Sequence, residues 1–363
     1  MQTTLRTHST IDWFSCGITF VIALIGLLFV YSATHTPEQP ISIFFKKQLI
    51  GTCIGIILYC FFVFADYRVL QRWGYFGFYG VIGLLIFTLI KGSIGMGAQR
   101  WINLVFFKFQ PSELAKPLFP AFVSYYLFTH EEQRFEAWKK FIPLIAILGV
   151  SFLLILKQPD LGTALVIAFC GLALLWLAGL PKKFFIYGAL ACVLTAPLLW
   201  KALKPYQKNR IAVFLGYGTT QKERYQIEQA TIAIGSGGFA GKGLQNGTQN
   251  TLQFLPESRT DFIFAIVCEE WGFVGAVLLL LLYLLLFLRT LFLIPAICAP
   301  HAQLLAMGLL LHIIFSAFIN IAMVMGLLPI VGIPLPLLSY GLSNLLISFA
   351  SLGWIQGIYL QQS

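Results

Sequence analysis

Only fourteen of the 363 residues are acidic and twenty-four are basic, so few side chains can do proton or phosphate chemistry. The most exposed to function by position is Asp261, in FLPESRTDFIFAIVCEEWG (254–272), where a polar stretch gives way to an apolar one. A carboxylate at such a join can meet water, a ligand held by the polar stretch and the positive end of the following helix together. The plainer alternative is that Asp261 only caps that helix. Glu269 follows eight residues later, some ~12 Å deeper and ~80° round a helix, while Glu270 faces nearly opposite to Asp261. Acids within an apolar run are costly, so each needs either a direct role or a partner; a basic residue from another span is the expected partner of Glu269.

Three further constellations stand out. GMGAQRWINLVFFKFQPSELAK (95–116) offers Arg100 and Trp101, a pair suited to phosphate or sugar, although Trp also anchors at membrane interfaces for its own sake. In the same stretch Gln110-Pro111-Ser112-Glu113 reads as a helix start, and Glu113 with Lys116 has the i, i+3 spacing of an ion pair. KQPDLGT (157–163) places Asp160 before an apolar run. GLLPIVGIPLPLLSYGLSN (326–344) is uncharged, and its three prolines forbid a regular helix. The Gly-rich run IAIGSGGFAGKG (232–243) is no P-loop: Ser236 stands where the first Gly is needed, and Gly243 where Ser or Thr follows the lysine. It is either a turn or a backbone cradle for phosphate with Lys242 as a point charge. The five His lack zincin spacing, and no Gly-x-Ser-x-Gly elbow occurs.

The elements that must position these residues are membrane helices. Hydrophobic residues make up 58% of the chain and charged residues 10%, which excludes an ordinary water-soluble domain and a disordered chain alike. The fold class expected is an all-α polytopic membrane protein, one integral membrane domain over 1–363. Ten apolar runs approach the ~20 residues needed to cross a bilayer: 12–33, 44–65, 74–91, 112–129, 141–157, 162–180, 183–200, 261–288, 302–325 and 341–360. The first reads as a retained signal anchor, and Pro117 and Pro120 should kink the fourth. The seven cysteines read as small buried hydrophobes.

One large polar loop, 201–260, falls between spans 7 and 8. It holds eight basic residues, Lys204, Arg210 and Lys242 among them, with Tyr225–Ile234 expected as an amphipathic surface helix broken after Gly235. Ten spans put both ends on one side. The loop charges, including Arg6 and Arg134 on the side of the termini, do not decide which side that is. A net charge of +10 suggests an anionic contact: lipid head groups, phosphates or acidic saccharides.

Seven motifs in order, GAQRWINL (97–104), FQPSELAKP (109–117), QPDLGTA (158–164), IAIGSGGFAGKG (232–243), GTQNTLQFLPESRTDFIFA (247–265), EEWGFVG (269–275) and PLPLLSYG (334–341), make the chain resemble the SEDS family. This is the family of shape, elongation, division and sporulation proteins, and the wording around 242–257 is most similar to its RodA-type elongation branch. Two departures are Leu-Ser-Asn after SYG, where Gly-Ser-Ser is common, and Ser258-Arg259, where Arg-His is usual.

The resemblance implies a peptidoglycan glycosyltransferase. It joins lipid II units outside the cytoplasmic (inner) membrane and releases undecaprenyl diphosphate, with both termini cytoplasmic and loop 201–260 extracytoplasmic. It places the essential aspartate on Asp261 as catalytic base, and makes Arg100, Trp101, Glu113, Lys116, Asp160, Lys242 and Glu257 the candidate substrate-binding residues. The implied partners are a class B penicillin-binding protein and other elongation-complex proteins, with no nucleic acid. No tightly bound cofactor is expected, and a divalent cation, Mg²⁺ or Mn²⁺, stays an open option at the diphosphate. A lipid II flippase and a non-catalytic scaffold are the competing classes.

Overall fold

A computed structural model describes residues 10–36, 39, 41–95, 98–103, 108–130, 138–203, 205–217, 221–252 and 254–362. Arg6, Arg134 and Lys204 lie outside the described residues, as do 96–97 and 104–107 of the Arg100 constellation. Each of the ten apolar runs is a helix. In chain order they are α1 (Trp13–Thr34), α2 (Ile43–Phe64), α3 (Tyr67–Lys91), α4 (Pro111–Thr129), α5 (Ile142–Lys157), α6 (Leu161–Leu177) and α7 (Lys182–Ala202). After three loop helices come α11 (Ile263–Leu293), α12 (Pro300–Val324) and α13 (Leu342–Gln362). Six helical segments, 13–34, 43–64, 67–91, 139–157, 263–296 and 300–324, are long and apolar enough to cross a membrane. This is a membrane protein, mostly helical.

Two buried clusters hold the bundle. One draws on α1, α11, α12 and α13, the other on α3, α4, α5 and α6. α2 packs on α13 through small residues. Gly51 and Gly55 face Leu342 and Phe349, and Gly353 and Gly357 lie against the backbone of Tyr59 and of Phe62–Val63. Two G-x-x-x-G pairs thus let the backbones meet closely, the device expected where lipid removes the hydrophobic drive between helices.

The expectation of an all-α chain needs one correction: β1 (Ser93–Gly95), β2 (Ala98–Asn103) and β3 (Lys108–Phe109) form a small antiparallel sheet between α3 and α4. The long polar loop is itself helical in part, as α8 (Pro205–Phe214), α9 (Gln221–Ser236) and α10 (Thr248–Thr251). α9 contains the expected 225–234 helix and extends it at both ends. It buries Ala230 and Ala233 in the first cluster, so the loop shares the core of the bundle.

α11 is broken once, at Gly272 (φ 65°, ψ −162°), a conformation that costs an L-residue dearly. The break leaves the carbonyls of 269 and 270 and the amides of 273 and 274 without their partners along the helix. The Gly-rich loop supplies all four. The Lys242 and Gly243 amides donate to Glu269 O (3.0 Å) and Glu270 O (2.9 Å), while Phe273 and Val274 donate to Gly238 O (2.9 Å) and Phe239 O (3.2 Å). A side chain at Gly237 or Gly241 would strike the 268–272 backbone, which is why glycines stand there. The uncharged 325–341 segment is likewise irregular and largely buried, packed across Gly26 of α1, as such backbone must be at membrane depth.

Candidate active site

Asp261 sits one residue before the N-cap of α11, outside that helix and only partly covered. Its backbone carbonyl accepts from Asn320 Nδ2 of α12 (2.8 Å), and the same amide donates to Ile333 O (2.6 Å). One Asn therefore ties the start of α11 to the irregular segment. That segment turns at Gly332 (φ 74°), where a Cβ would stand 3.6 Å from Asp261 Oδ2. Among the described residues, no donor takes the Asp261 carboxylate. It does not cap α11, because Phe262 is the N-cap and no side chain accepts there. The structure thus removes the capping alternative.

Burial pushes the Asp261 carboxyl up to about 6, and the neighbouring Glu257 charge pushes the same way against Arg100 and Arg210. Glu257 is held at φ 54°, and its Oε2 accepts from Thr260 Oγ1 (3.0 Å). A carboxyl tuned to about 6 is ionised at neutral pH and basic enough to take a proton.

Beside it lies a fixed cation. Asp160 is the N-cap of α6, its Oδ1 accepting from Thr163 N (3.2 Å). Its other oxygen accepts from Gln110 Nε2 (2.6 Å) and Ser112 Oγ (3.2 Å), which locks the entry of α4 to that of α6. Arg100 Nη1 then pairs with Asp160 Oδ1 at 3.1 Å. The guanidinium lies 5.7 Å from the Trp101 ring centroid, and its Nε is buried without an acceptor among the described residues. A buried cationic donor with no acceptor suits an anionic oxygen. Asp160 therefore serves as the anchor of Arg100, with its own oxygens filled.

Two other candidate sets are placed differently. Glu113 and Lys116 pair within α4 (2.7 Å), both buried, with Asn344 Nδ2 of α13 on the second Glu113 oxygen (3.3 Å). Lys242 pairs with Glu269 (2.7 Å) and donates to Thr248 Oγ1 (2.7 Å), while Thr248 Oγ1 and the Gln249 amide also reach Glu269 Oε1 (3.0 and 3.1 Å). The partner of Glu269 is thus a loop lysine and not a residue of another span. Glu270, its neighbour, accepts from Ser32 of α1.

Sequence reasoning missed Arg210, whose charge reaches Asp261 from α8, and the roles of Gln110 and Ser112 on Asp160. Only the basic surplus of loop 201–260 pointed toward Arg210. Among the described residues no three His, Cys, Asp or Glu side chains converge as a metal cluster.

A polytopic helical bundle with one open carboxylate beside a clamped arginine is the class this geometry defines. Residues 13–363 match the FtsW/RodA/SpoVE family of proteins described as cell cycle protein, and the chain belongs to that family. It is 37% identical over 346 residues to the peptidoglycan glycosyltransferase MrdB of Escherichia coli K12, covering 94% of this chain and 92% of that one. It is 31% identical to the peptidoglycan glycosyltransferase RodA of Treponema pallidum, over 99% of each.

Among solved structures, a chain from a peptidoglycan synthase complex described as coordinating polymerization and crosslinking superimposes with a TM-score of 0.80. It shares 28% identity, with coverage of 96% of this chain and 98% of that one. RodA of Thermus thermophilus follows at a TM-score of 0.73 and 26% identity, with coverage of 97% and 98%.

Proposed function

We propose that the chain is a peptidoglycan glycosyltransferase of the cell-elongation machinery, which polymerises lipid II at the site centred on Asp261. The observation that carries this reading is the contrast in partners at the site. The Asp261 carboxyl is raised to about 6 and has no donor among the described residues, while Arg100, whose charge acts on it, is held by Asp160 and keeps a buried donor without an acceptor among them. Full-length similarity to named glycosyltransferases supports the class of reaction.

In this mechanism the ionised Asp261 carboxylate takes the proton of the acceptor sugar hydroxyl as its oxygen attacks the anomeric carbon of the donor. The bond from that carbon to the diphosphate breaks, and undecaprenyl diphosphate leaves with the electron pair. Arg100, with Arg210, whose charge also reaches Asp261, offsets the charge that grows on the phosphate oxygens. The leaving group needs no proton, so one acid suffices and inversion is expected; two carboxylates ~5 Å apart acting as acid and nucleophile would suit retention. Where Mg²⁺ or Mn²⁺ accompanies the diphosphate, Glu257 is the carboxylate that would hold it, and the ion would neutralise leaving-group charge while Asp261 stays free to take the proton. A single carboxylate falls short of an all-protein cage and fits an ion that keeps water and phosphate ligands.

The same reading takes the ten helices as ten spans of one integral membrane domain, with both termini cytoplasmic and loop 201–260 extracytoplasmic in the bacterial inner membrane. A class B penicillin-binding protein is the expected partner, a reading supported by the solved synthase complex.

Purified protein in liposomes with lipid II tests the proposal. Glycan chains support it. Movement of lipid II across the bilayer without chains would favour a flippase, and neither outcome, with the penicillin-binding partner added, would favour a scaffold. A reporter near Gln245 should lie outside and one near Lys182 inside.

A further inference from the structure

A cavity lies at the opposite end of the bundle from Asp261. α11 and α6 both begin at the active site, at Ile263 and Leu161, and the cavity is lined by the residues that follow their far ends, Ile294 and Ala178. About 580 Å³ opens there between the end of α4, the start of α5 and the first turns of α12. Its walls divide by chemistry. Leu177, Ile294 and Met307 are apolar, while Lys140, His301 and Gln303 are polar. No described Asp or Glu lines it.

The charge gathers for a structural reason. Trp138 and Phe184 bring their rings to 5.7 Å, which draws the Lys139-Lys140 pair at the start of α5 to the Lys182-Lys183 pair at the start of α7. Lys139 and Lys140 lie against the rings of Trp138 and Phe141, and Lys183 against Phe184, so aromatic faces flank three of the four ammonium groups. His301 lies tilted against Phe128 at the cavity wall, 4.3 Å between centroids, at the N-terminus of the 25-residue α12. The positive end of that helix adds to the lysines. An apolar cleft of this size with Lys140 in its wall, and with the lysine-bearing start of α7 held to the start of α5 by the Trp138–Phe184 contact, matches a phosphate head with acyl chains, and basic pockets between membrane helices hold anionic lipid heads in this way.

We infer that this cavity is a binding site for an anionic diacyl phospholipid of the phosphatidylglycerol type, in the leaflet opposite the reaction. Its phosphate meets Lys140 and the lysines beside it, and an acyl chain enters past Leu177 and Met307. The inference does not require polymerase activity, and the site shares no residue with the Asp261 cluster.

Native mass spectrometry of the purified full chain, supplied with equal phosphatidylglycerol and phosphatidylethanolamine, reads it directly. The wild type should retain phosphatidylglycerol at least about fivefold over phosphatidylethanolamine, and the double variant Lys140→Gln/Lys183→Gln should lose that preference. These lysines lie at helix starts, and an unchanged melting profile in detergent verifies that the variant is folded. Ala178→Trp, which fills the cavity and keeps every charge, should lower retention of phosphatidylglycerol by a similar factor. Equal retention of both lipids by the wild type, or an undiminished preference in the lysine variant, would overturn the inference. So would displacement of phosphatidylglycerol by equimolar undecaprenyl phosphate, which would assign the site to the polyprenyl carrier.

Discussion

Two carboxylates of the same polar segment and its following helix meet opposite fates. Glu269 is fully buried, and Lys242, Thr248 and the Gln249 amide all converge on one of its oxygens, while the other has no donor among the described residues. Asp261, eight residues earlier, is partly open, and among the described residues nothing donates to its carboxylate. The first carboxylate spends its charge on holding the Gly-rich loop across the break at Gly272. The second keeps its charge for a ligand. In a chain with so few charges, the difference teaches that an ionisable group at membrane depth is not by itself a site; whether a charged partner already holds it is the better guide.

Asp261→Asn gives the largest contrast. Asn preserves size but cannot accept a proton at neutral pH, so glycan chain formation should fall ~10²–10⁴-fold, the usual contribution of a general base. Folding should survive. The folded carboxyl is raised from 3.8 to about 6, so stability falls as pH rises from about 3.8 to about 6 and is level above that, and the variant at pH 7.5 should melt at or above the wild type.

The closed pair should fail in the other way. Glu269→Ala leaves the Lys242 ammonium without its carboxylate, and Lys242→Ala strands the buried Glu269. The Lys242 side chain is 25% exposed and Glu269 is fully buried, so stranding the carboxylate costs up to about 3–5 kcal/mol, more than replacing both, while the lysine left alone turns to water and costs less. Yield and thermal midpoint should drop in each single variant, with partial recovery in Lys242→Met/Glu269→Met. A well-folded but inactive Glu269→Ala would erase the distinction between the two carboxylates.

Arg100→Ala sharpens the comparison from the cationic side. It removes a charge-assisted contact worth about 1.5–3 kcal/mol, so kcat/KM for lipid II should fall ~10–100-fold. Asp160 keeps Gln110, Ser112 and the Thr163 amide, so folding should hold, as yield and melting would verify. The smallest effect belongs to Arg224→Ala on α9. Its pair with Glu228 is exposed at both ends, and the change should shift stability by less than about 0.5 kcal/mol with activity unchanged.

Much of this was legible in the residues. Apolar runs mark all ten helices to within a few positions at most ends, and the polar-to-apolar join singles out Asp261. α3 starts seven residues earlier than its apolar run, at Tyr67, because Asp66 caps it while Arg68, Gln71 and Arg72 depress local hydropathy. The sheet around Arg100 was not legible, since strands of two to six residues carry too little alternation to separate from a loop. Nor was the Lys242–Glu269 pair, whose members are 27 residues apart and meet only because Gly272 breaks α11. The Gly-rich run offered two readings, turn or phosphate cradle. Its amides turn out to be engaged with the broken helix, a use that depends on tertiary contact alone.

The dependence of glycan chain formation on pH tests most directly whether Asp261 is the working base. The kcat/KM of the purified protein for lipid II, measured well below saturation, should be level above pH 7 and fall about tenfold per unit below pH about 6, as the carboxyl protonates. Asp261→Asn, measured beside it, should show a low rate without that inflection. A wild-type rate that stays level down to pH 5, or an Asn variant that retains both rate and inflection, would contradict the account.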